Sequence, residues 1–156
     1  MLQITIIAVG KLKEKYLREG IAEYTKRLLP LARLNMVEIA EENMANISIS
    51  QVLAKEGQRI LEALSPDAYH IALDIEGKSL TSTQLAQVLA DKSLAGNSHF
   101  IFSIGGSWGL SQEVLDLADL RLSFGRLTYP HQLMRLILLE QIYRVLKINR
   151  GETYHK

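Results

Sequence analysis

Apolar positions along the chain change period repeatedly, and the changes mark alternating strands and helices. Residues 2–9 are β-branched and almost continuously apolar up to Gly10, the pattern of a strand buried on both faces. From 13 to 29 the spacing becomes helical, with Tyr16, Leu17, Ile21, Tyr24 and Leu28 on one face and Pro30 as the stop. Residues 34–40 predict a second strand, 41–48 a polar loop, and 50–64 a helix with Val52, Leu53, Ile60, Leu61 and Leu64 along its apolar stripe. A buried strand over 69–75 ends in Glu76-Gly77-Lys78, and Thr81 or Ser82 caps a helix that runs to Leu94, with Gly96 beyond it. Residues 99–104 predict a strand running into Gly105-Gly106-Ser107-Trp108-Gly109, Ser111 caps a short helix to Ala118, and 120–124 form the last strand. A long apolar helix over 133–148 and a tail over 149–156 complete the chain. This alternation predicts one α/β domain over residues 1–156, a mainly parallel sheet with helices on both faces.

Composition narrows the chemistry. The 156 residues are 47% hydrophobic and 22% charged, enough to bury a core without a staple. With no cysteine, the sequence excludes disulfides, thiolate metal sites and a cysteine nucleophile. Apolar runs are strand-sized, and the N-terminus enters a strand pattern with no secretory leader, so a soluble cytoplasmic protein away from membranes is expected. The net charge of +1 hides an asymmetry: residues 121–156 hold seven basic and two acidic side chains, +5, which leaves −4 for the remainder. A basic C-terminal segment on an acidic body suits an anionic partner, although a solvated helix face with a charged tail has the same composition.

Ligands of parallel sheets bind at the carboxyl ends of the strands. Three strands here run into glycine-bearing segments: Ile75-Glu76-Gly77, 104–109, and 124–130. Glycine there lets a ligand approach the backbone closely. Gly77-Lys78-Ser79 is not a P-loop, because Ala72 stands where that motif needs its first glycine, and the dinucleotide fingerprint is absent after the first strand. Apolar, backbone-rich edges with one arginine suit a nucleoside-type ligand better than a triphosphate with magnesium. No metal-ligand spacing stands out; His70 and His99 at strand starts read as structural, and Gly106-Ser107-Trp108-Gly109 is not a serine-nucleophile elbow. The last helix is apolar nearly all round, interrupted by Arg135 and by Arg144, which can pair with Glu140 at i,i+4. A terminal helix of that kind predicts burial against a second copy, hence a homodimer. The Tyr154-His155-Lys156 end could supply a stacking ring, an acid–base group and a phosphate contact for RNA.

Four segments together carry a family resemblance: Leu73-Asp74-Ile75-Glu76-Gly77-Lys78, Ile104-Gly105-Gly106-Ser107-Trp108-Gly109-Leu110, Leu122-Ser123 through Thr128-Tyr129-Pro130-His131-Gln132, and the tail from Gly151 to Lys156. Over its whole length the chain resembles the RlmH family, the ribosomal large-subunit pseudouridine N3-methyltransferases of the SPOUT superfamily. The resemblance implies a deep trefoil knot in the C-terminal half, S-adenosylmethionine held in the knot loops, no metal, a homodimer with the site at its interface, and 23S rRNA of assembled ribosomes as substrate rather than DNA. It carries cofactor contacts to Leu73, Gly105, Phe124, Gly125, Arg126, Leu127, Thr128 and Tyr129. It marks His131 and Arg135 as substrate-binding, and Glu140, Arg144, Tyr154 and His155 as substrate-side residues. On chemical grounds the last four are the catalytic candidates: a histidine or tyrosinate to take the N3 proton, an arginine to stabilise the charge left behind, and a glutamate to orient them. Two alternatives remain: a SPOUT-like methyltransferase acting on another RNA such as tRNA, and a noncatalytic RNA- or nucleotide-binding module.

Overall fold

The computed structural model describes residues 1–156, the side chain of Met44 excepted. Five parallel strands, β1 (Leu2–Val9), β2 (Ala32–Ile39), β3 (Tyr69–Ser79), β4 (His99–Ile104) and β5 (Leu120–Ser123), lie in the order β2-β1-β4-β3-β5. Five helices connect and follow them: α1 (Lys15–Leu28), α2 (Ile49–Ala63), α3 (Ser82–Leu94), α4 (Gln112–Asp116) and α5 (His131–Asn149). Alternate residues of each central strand feed different cores, which explains their continuous apolar runs. Ile4, Ile6, Ala8, Phe100, Phe102 and Ile104 point into the larger core, with α5 flanked by α1 and α3. Ile7, Val9 and Ile101 point to the other face, where Ile60 of α2 and Val114 of α4 cover them. Burying each such aliphatic side chain contributes about 1.5–3 kcal/mol.

The helix starts follow local chemistry. Thr81, not Ser82, caps α3; its hydroxyl accepts from the Gln84 N–H while the Gln84 side chain accepts from the Thr81 N–H. Ser48 builds the same box with Gln51 on α2, and Ser111 caps α4. His70 Nε2 lies 2.7 Å from Ser103 Oγ and His99 Nε2 lies 2.8 Å from Thr5 Oγ1, so both imidazoles serve the sheet, as their positions suggested.

One expectation changes, and the expected second copy loses one support. The Glu76-Gly77-Lys78 segment is not a loop after β3; β3 continues to Ser79, with its pairing to β5 shifting between Leu73 and Lys78. A methyl group on Gly77 would lie 2.6 Å from the Arg121 carbonyl oxygen, so glycine allows β5 to close against the bulged strand. The apolar circumference of α5 is also largely explained within one chain. Met134, Leu138, Leu139, Ile142, Val145 and Leu146 are buried between the sheet, α1 and α3. Hydrophobicity of α5 alone therefore does not require a second copy. Among the described residues, no helix is long and apolar enough to cross a membrane.

Candidate active site

At the carboxyl edge of β3, β4 and β5 the segments singled out by their glycines enclose a cavity of about 690 Å³. The bulge of β3 supplies Leu73, Asp74 and Ile75, the loop after β4 supplies Ile104 through Gly109, and the loop after β5 supplies Phe124, Gly125, Leu127, Thr128, Tyr129 and Pro130. The first turns of α5 close it with His131 and Met134, and Leu122 forms part of its wall. Gly105 is sterically compelled: a methyl group there would sit 2.3 Å from the carbonyl carbon and oxygen of Gly109. Gly109, at φ +81°, turns back so that its N–H donates to the Gly106 carbonyl at 3.1 Å. The wall is thus bare backbone where a flat ligand can lie close.

Of the eight expected cofactor contacts, seven line the cavity, whereas the exposed Arg126 does not. The charged side chain in the wall is instead Asp74, whose Oδ1 accepts from the Glu76 N–H at 3.1 Å. A cavity of this size, with mixed apolar and backbone walls, suits a nucleoside-sized molecule. Its acid, on a wall lined by neither arginine nor lysine, suits a cationic one. Asp74, Ile75, Gly106 through Gly109 and Pro130 extend the expected contacts; all but Asp74, which stands in the segment 73–78 that carries the resemblance, lie in the glycine-bearing segments read from sequence. Met134 and Leu122 had no such signal; a methionine one turn into a helix and a leucine on a strand look like core.

Arg135 and His131, both expected to bind substrate, occupy different environments. Arg135 is 1% exposed. Its Nη2 donates to the carbonyls of Val9 (3.1 Å) and Gly10 (2.5 Å), and its Nη1 donates to Glu38 Oε2 at 2.7 Å. Burial pushes the Glu38 carboxyl upward, but the bonds from Arg135 and the Leu12 N–H outweigh it and hold the group below its ordinary value. The arginine therefore ties the start of α5 to the end of β1. His131 faces the cavity, with a buried Nε2 that has no hydrogen-bond partner among the described residues.

The remaining candidates gather elsewhere. Arg144 donates from Nε and Nη2 to the two Glu140 oxygens at 3.1 and 3.0 Å, and its Nη1 lies 3.1 Å from His155 Nδ1. The Tyr154 hydroxyl donates to Glu140 Oε2 at 3.0 Å, and its ring stands edge-on to Tyr143 at 4.9 Å with the Arg144 guanidinium over it at 4.8 Å. Burial, and then the bond to Glu140, push the Tyr154 phenol up to about 12. All four residues expected at the reaction centre thus form one cluster, folded by the tail onto α5. None of them lines the cavity of its own chain. Along α5, Glu140 and Arg144 lie roughly 9 and 15 Å beyond Met134.

A five-stranded parallel sheet whose strand-end loops wrap a nucleoside-sized, backbone-walled cavity suits an enzyme that takes a nucleoside-type cofactor, and a family profile described as "Predicted SPOUT methyltransferase" matches residues 2–155, which puts the protein in the SPOUT methyltransferase class. Ribosomal RNA large subunit methyltransferase H of Carboxydothermus hydrogenoformans (strain ATCC BAA-161 / DSM 6008 / Z-2901) is 58% identical over 159 aligned residues, covering 99% of this chain and 100% of that protein. The chain belongs to the RlmH family of SPOUT methyltransferases. A solved structure described as a probable methylase family protein from Haemophilus influenzae Rd KW20 aligns with 99% of this chain and 70% of its own, at a TM-score of 0.51 and 10% identity, a likeness of fold.

Proposed function

We propose that the protein methylates N3 of a pseudouridine in the 23S rRNA of assembled ribosomes in the cytoplasm, with S-adenosylmethionine as donor and no metal. The observation that carries this reading is the cavity of the strand-end loops: glycine backbone for an adenine and ribose, apolar wall for stacking, and Asp74 in place of any cationic wall residue. Leu73, Gly105, Phe124, Gly125, Leu127, Thr128 and Tyr129 would hold the donor, with Arg126 at the rim. When bound, the donor supplies an electrophilic methyl on a sulfonium. His131, which lines the cavity with its Nε2 buried toward Gly10, would bind the incoming base, and Arg135 would act by holding that turn of helix. The 124–130 segment carries the chain from the edge strand β5 back across the sheet to α5, and threading it through the neighbouring loops is what a trefoil knot requires.

The tail cluster does the proton work. Arg144 only donates, so His155 Nδ1 accepts in that bond and its proton sits on Nε2. For catalysis the substrate N3–H replaces the arginine at Nδ1, which takes the proton, and the released guanidinium stabilises the charge on the neighbouring carbonyl oxygen. With its phenol raised to about 12, Tyr154 is protonated near neutrality and orients Glu140, which leaves His155 as the proton acceptor. Because the cluster does not reach the cavity of its own chain, we place a homodimer at the centre of the mechanism, with the tail of one copy serving the cavity of the other.

The test is transfer of labelled methyl to ribosomes lacking the modification, with the methylated base mapped. Label at N3 of one pseudouridine, stronger on assembled subunits than on a free hairpin, is expected. Label on tRNA, or donor binding with no transfer to any RNA, overturns the proposal.

A further inference from the structure

Behind the cavity, on the opposite face of the sheet, helix α2 carries a carboxylate in an apolar setting. Glu56 is 4% exposed and is the one buried acid among the described residues. Helix α2 packs on that face through Val52 and Ile60, and the core there is Ile7, Val9, Ile39, Ile60, Ile101 and Val114. Burial drives its carboxyl above its ordinary value, with the bond from the Glu42 N–H as the main opposing influence. A buried acid is expensive, and an apolar side chain of similar length would serve packing better. Its presence calls for a reason that packing does not supply.

The geometry supplies one. Glu56 Oε2 accepts from the Glu42 N–H at 3.0 Å, and Arg59 and Lys55 of the same helix hold the Glu42 carboxylate at 2.7 and 3.7 Å. The other oxygen, Oε1, faces the cavity loop from behind: a methyl group on Gly106 would lie 3.3 Å from it and 3.1 Å from Val9 Cγ1. The next residue, Gly57, meets the far end of the same loop so closely that a methyl there would lie 2.4 Å from Ser111 Oγ. Consecutive residues of α2 thus abut both ends of the 106–111 segment, whose front forms the cavity wall.

We infer that Glu56 is a positioning residue for the donor: braced by the Glu42 N–H, its carboxylate holds the Gly106 backbone at the depth the cavity needs. The inference rests on the reading of that cavity as the donor site. Glu56 touches neither donor nor RNA, so it governs donor affinity rather than the chemical step.

The experiment compares Glu56→Met, which keeps length and suits the apolar surroundings but loses the acceptor, with Glu56→Gln, which keeps an acceptor oxygen. Thermal unfolding, titration with S-adenosylhomocysteine and the emission of Trp108, the one tryptophan of the chain and a member of the loop, are measured on all three proteins. Glu56→Met is expected to melt no lower than the parent, yet to bind S-adenosylhomocysteine about tenfold more weakly with a shifted Trp108 emission, while kcat at saturating donor stays within about threefold. Glu56→Gln should match the parent in affinity within about twofold. Parent-like affinity and emission in Glu56→Met overturn the inference, as does an equal loss in Glu56→Gln. Should the parent itself take up no S-adenosylhomocysteine, the donor-site reading fails; the Trp108 comparison then decides loop positioning alone, and unchanged emission in Glu56→Met overturns it.

Discussion

Both ends of α5 carry an arginine that interrupts an apolar helix, and the two could hardly differ more in setting. Arg135 is sealed against β1, with two backbone carbonyls and Glu38 on its fork. Arg144 lies partly open among Glu140, Tyr154 and His155, partners on its own helix and the tail. One end of the helix is clamped to the sheet where the cavity closes, while the other presents a cluster that can exchange partners. A buried charge whose bonds go to two backbone carbonyls and one fixed carboxylate is committed to architecture. A charge held by a short tail can be lent to a substrate.

Replacing Arg135 with alanine should break this contrast most forcefully. It strands the Val9 and Gly10 carbonyls at a buried site and removes the partner of the half-exposed Glu38 carboxylate, and a loss of about 2–4 kcal/mol in guanidinium unfolding is expected. Lysine should recover little, since one ammonium cannot replace a fork that reaches three acceptors. The contribution of Glu38 has a definite sign: with its folded value held down, its stabilisation is present above the ordinary carboxylate range and disappears as pH falls through the lowered value. An acid titration that leaves stability unchanged by Glu38→Gln at every pH would contradict this.

At the open end the effect should appear in rate rather than in folding. His155→Ala or Arg144→Ala is expected to slow single-turnover methylation of ribosomes by about 100-fold or more. Stability should change by under about 1 kcal/mol, as for other partly exposed pairs. Full activity in His155→Ala would remove the tail from the reaction. Mixing inactive His155→Ala with an inactive cavity variant sharpens the point. Gly105→Ala serves, because its methyl must displace the Gly109 carbonyl from 2.3 Å, and a misplaced wall of that order should lower kcat/KM about 100-fold. If each tail serves the other copy's cavity, the mixture recovers activity; if each serves its own, it does not.

The smallest effect expected is alkaline. Tyr154 is raised from its ordinary 10.0 to about 12 in the fold, so its contribution is complete below pH 10 and is lost as pH climbs toward about 12. Tyr154→Phe should lose about 1 kcal/mol at neutral pH, measured by urea midpoint, and should abolish that alkaline decline.

Much of this molecule is legible in its pattern of residues. Continuous apolar runs predict strands buried on both faces, caps and glycines locate the helix ends, and two of the three glycine-bearing segments, 104–109 and 124–130, mark the cavity, whereas Gly77 serves the pairing of β3 with β5. The resemblance assembled Glu140, Arg144, Tyr154 and His155, and the tail does bring them together. The strand order was not legible, nor that β3 continues through a bulge past Gly77, because pairing is settled by which backbone approaches, and here that was Arg121 of β5.

Local spacing determined the elements, since propensity, capping and the period of buried positions act within a few residues of chain. Which of two arginines on one helix would become a buried clamp, which carboxylate would stand behind the cavity loop, and that the tail would miss its own chain's cavity were decided only in three dimensions. Burial and hydrogen-bond partners depend on contacts across as many as 126 positions of sequence, as between Arg135 and Val9, and no local pattern records such distances.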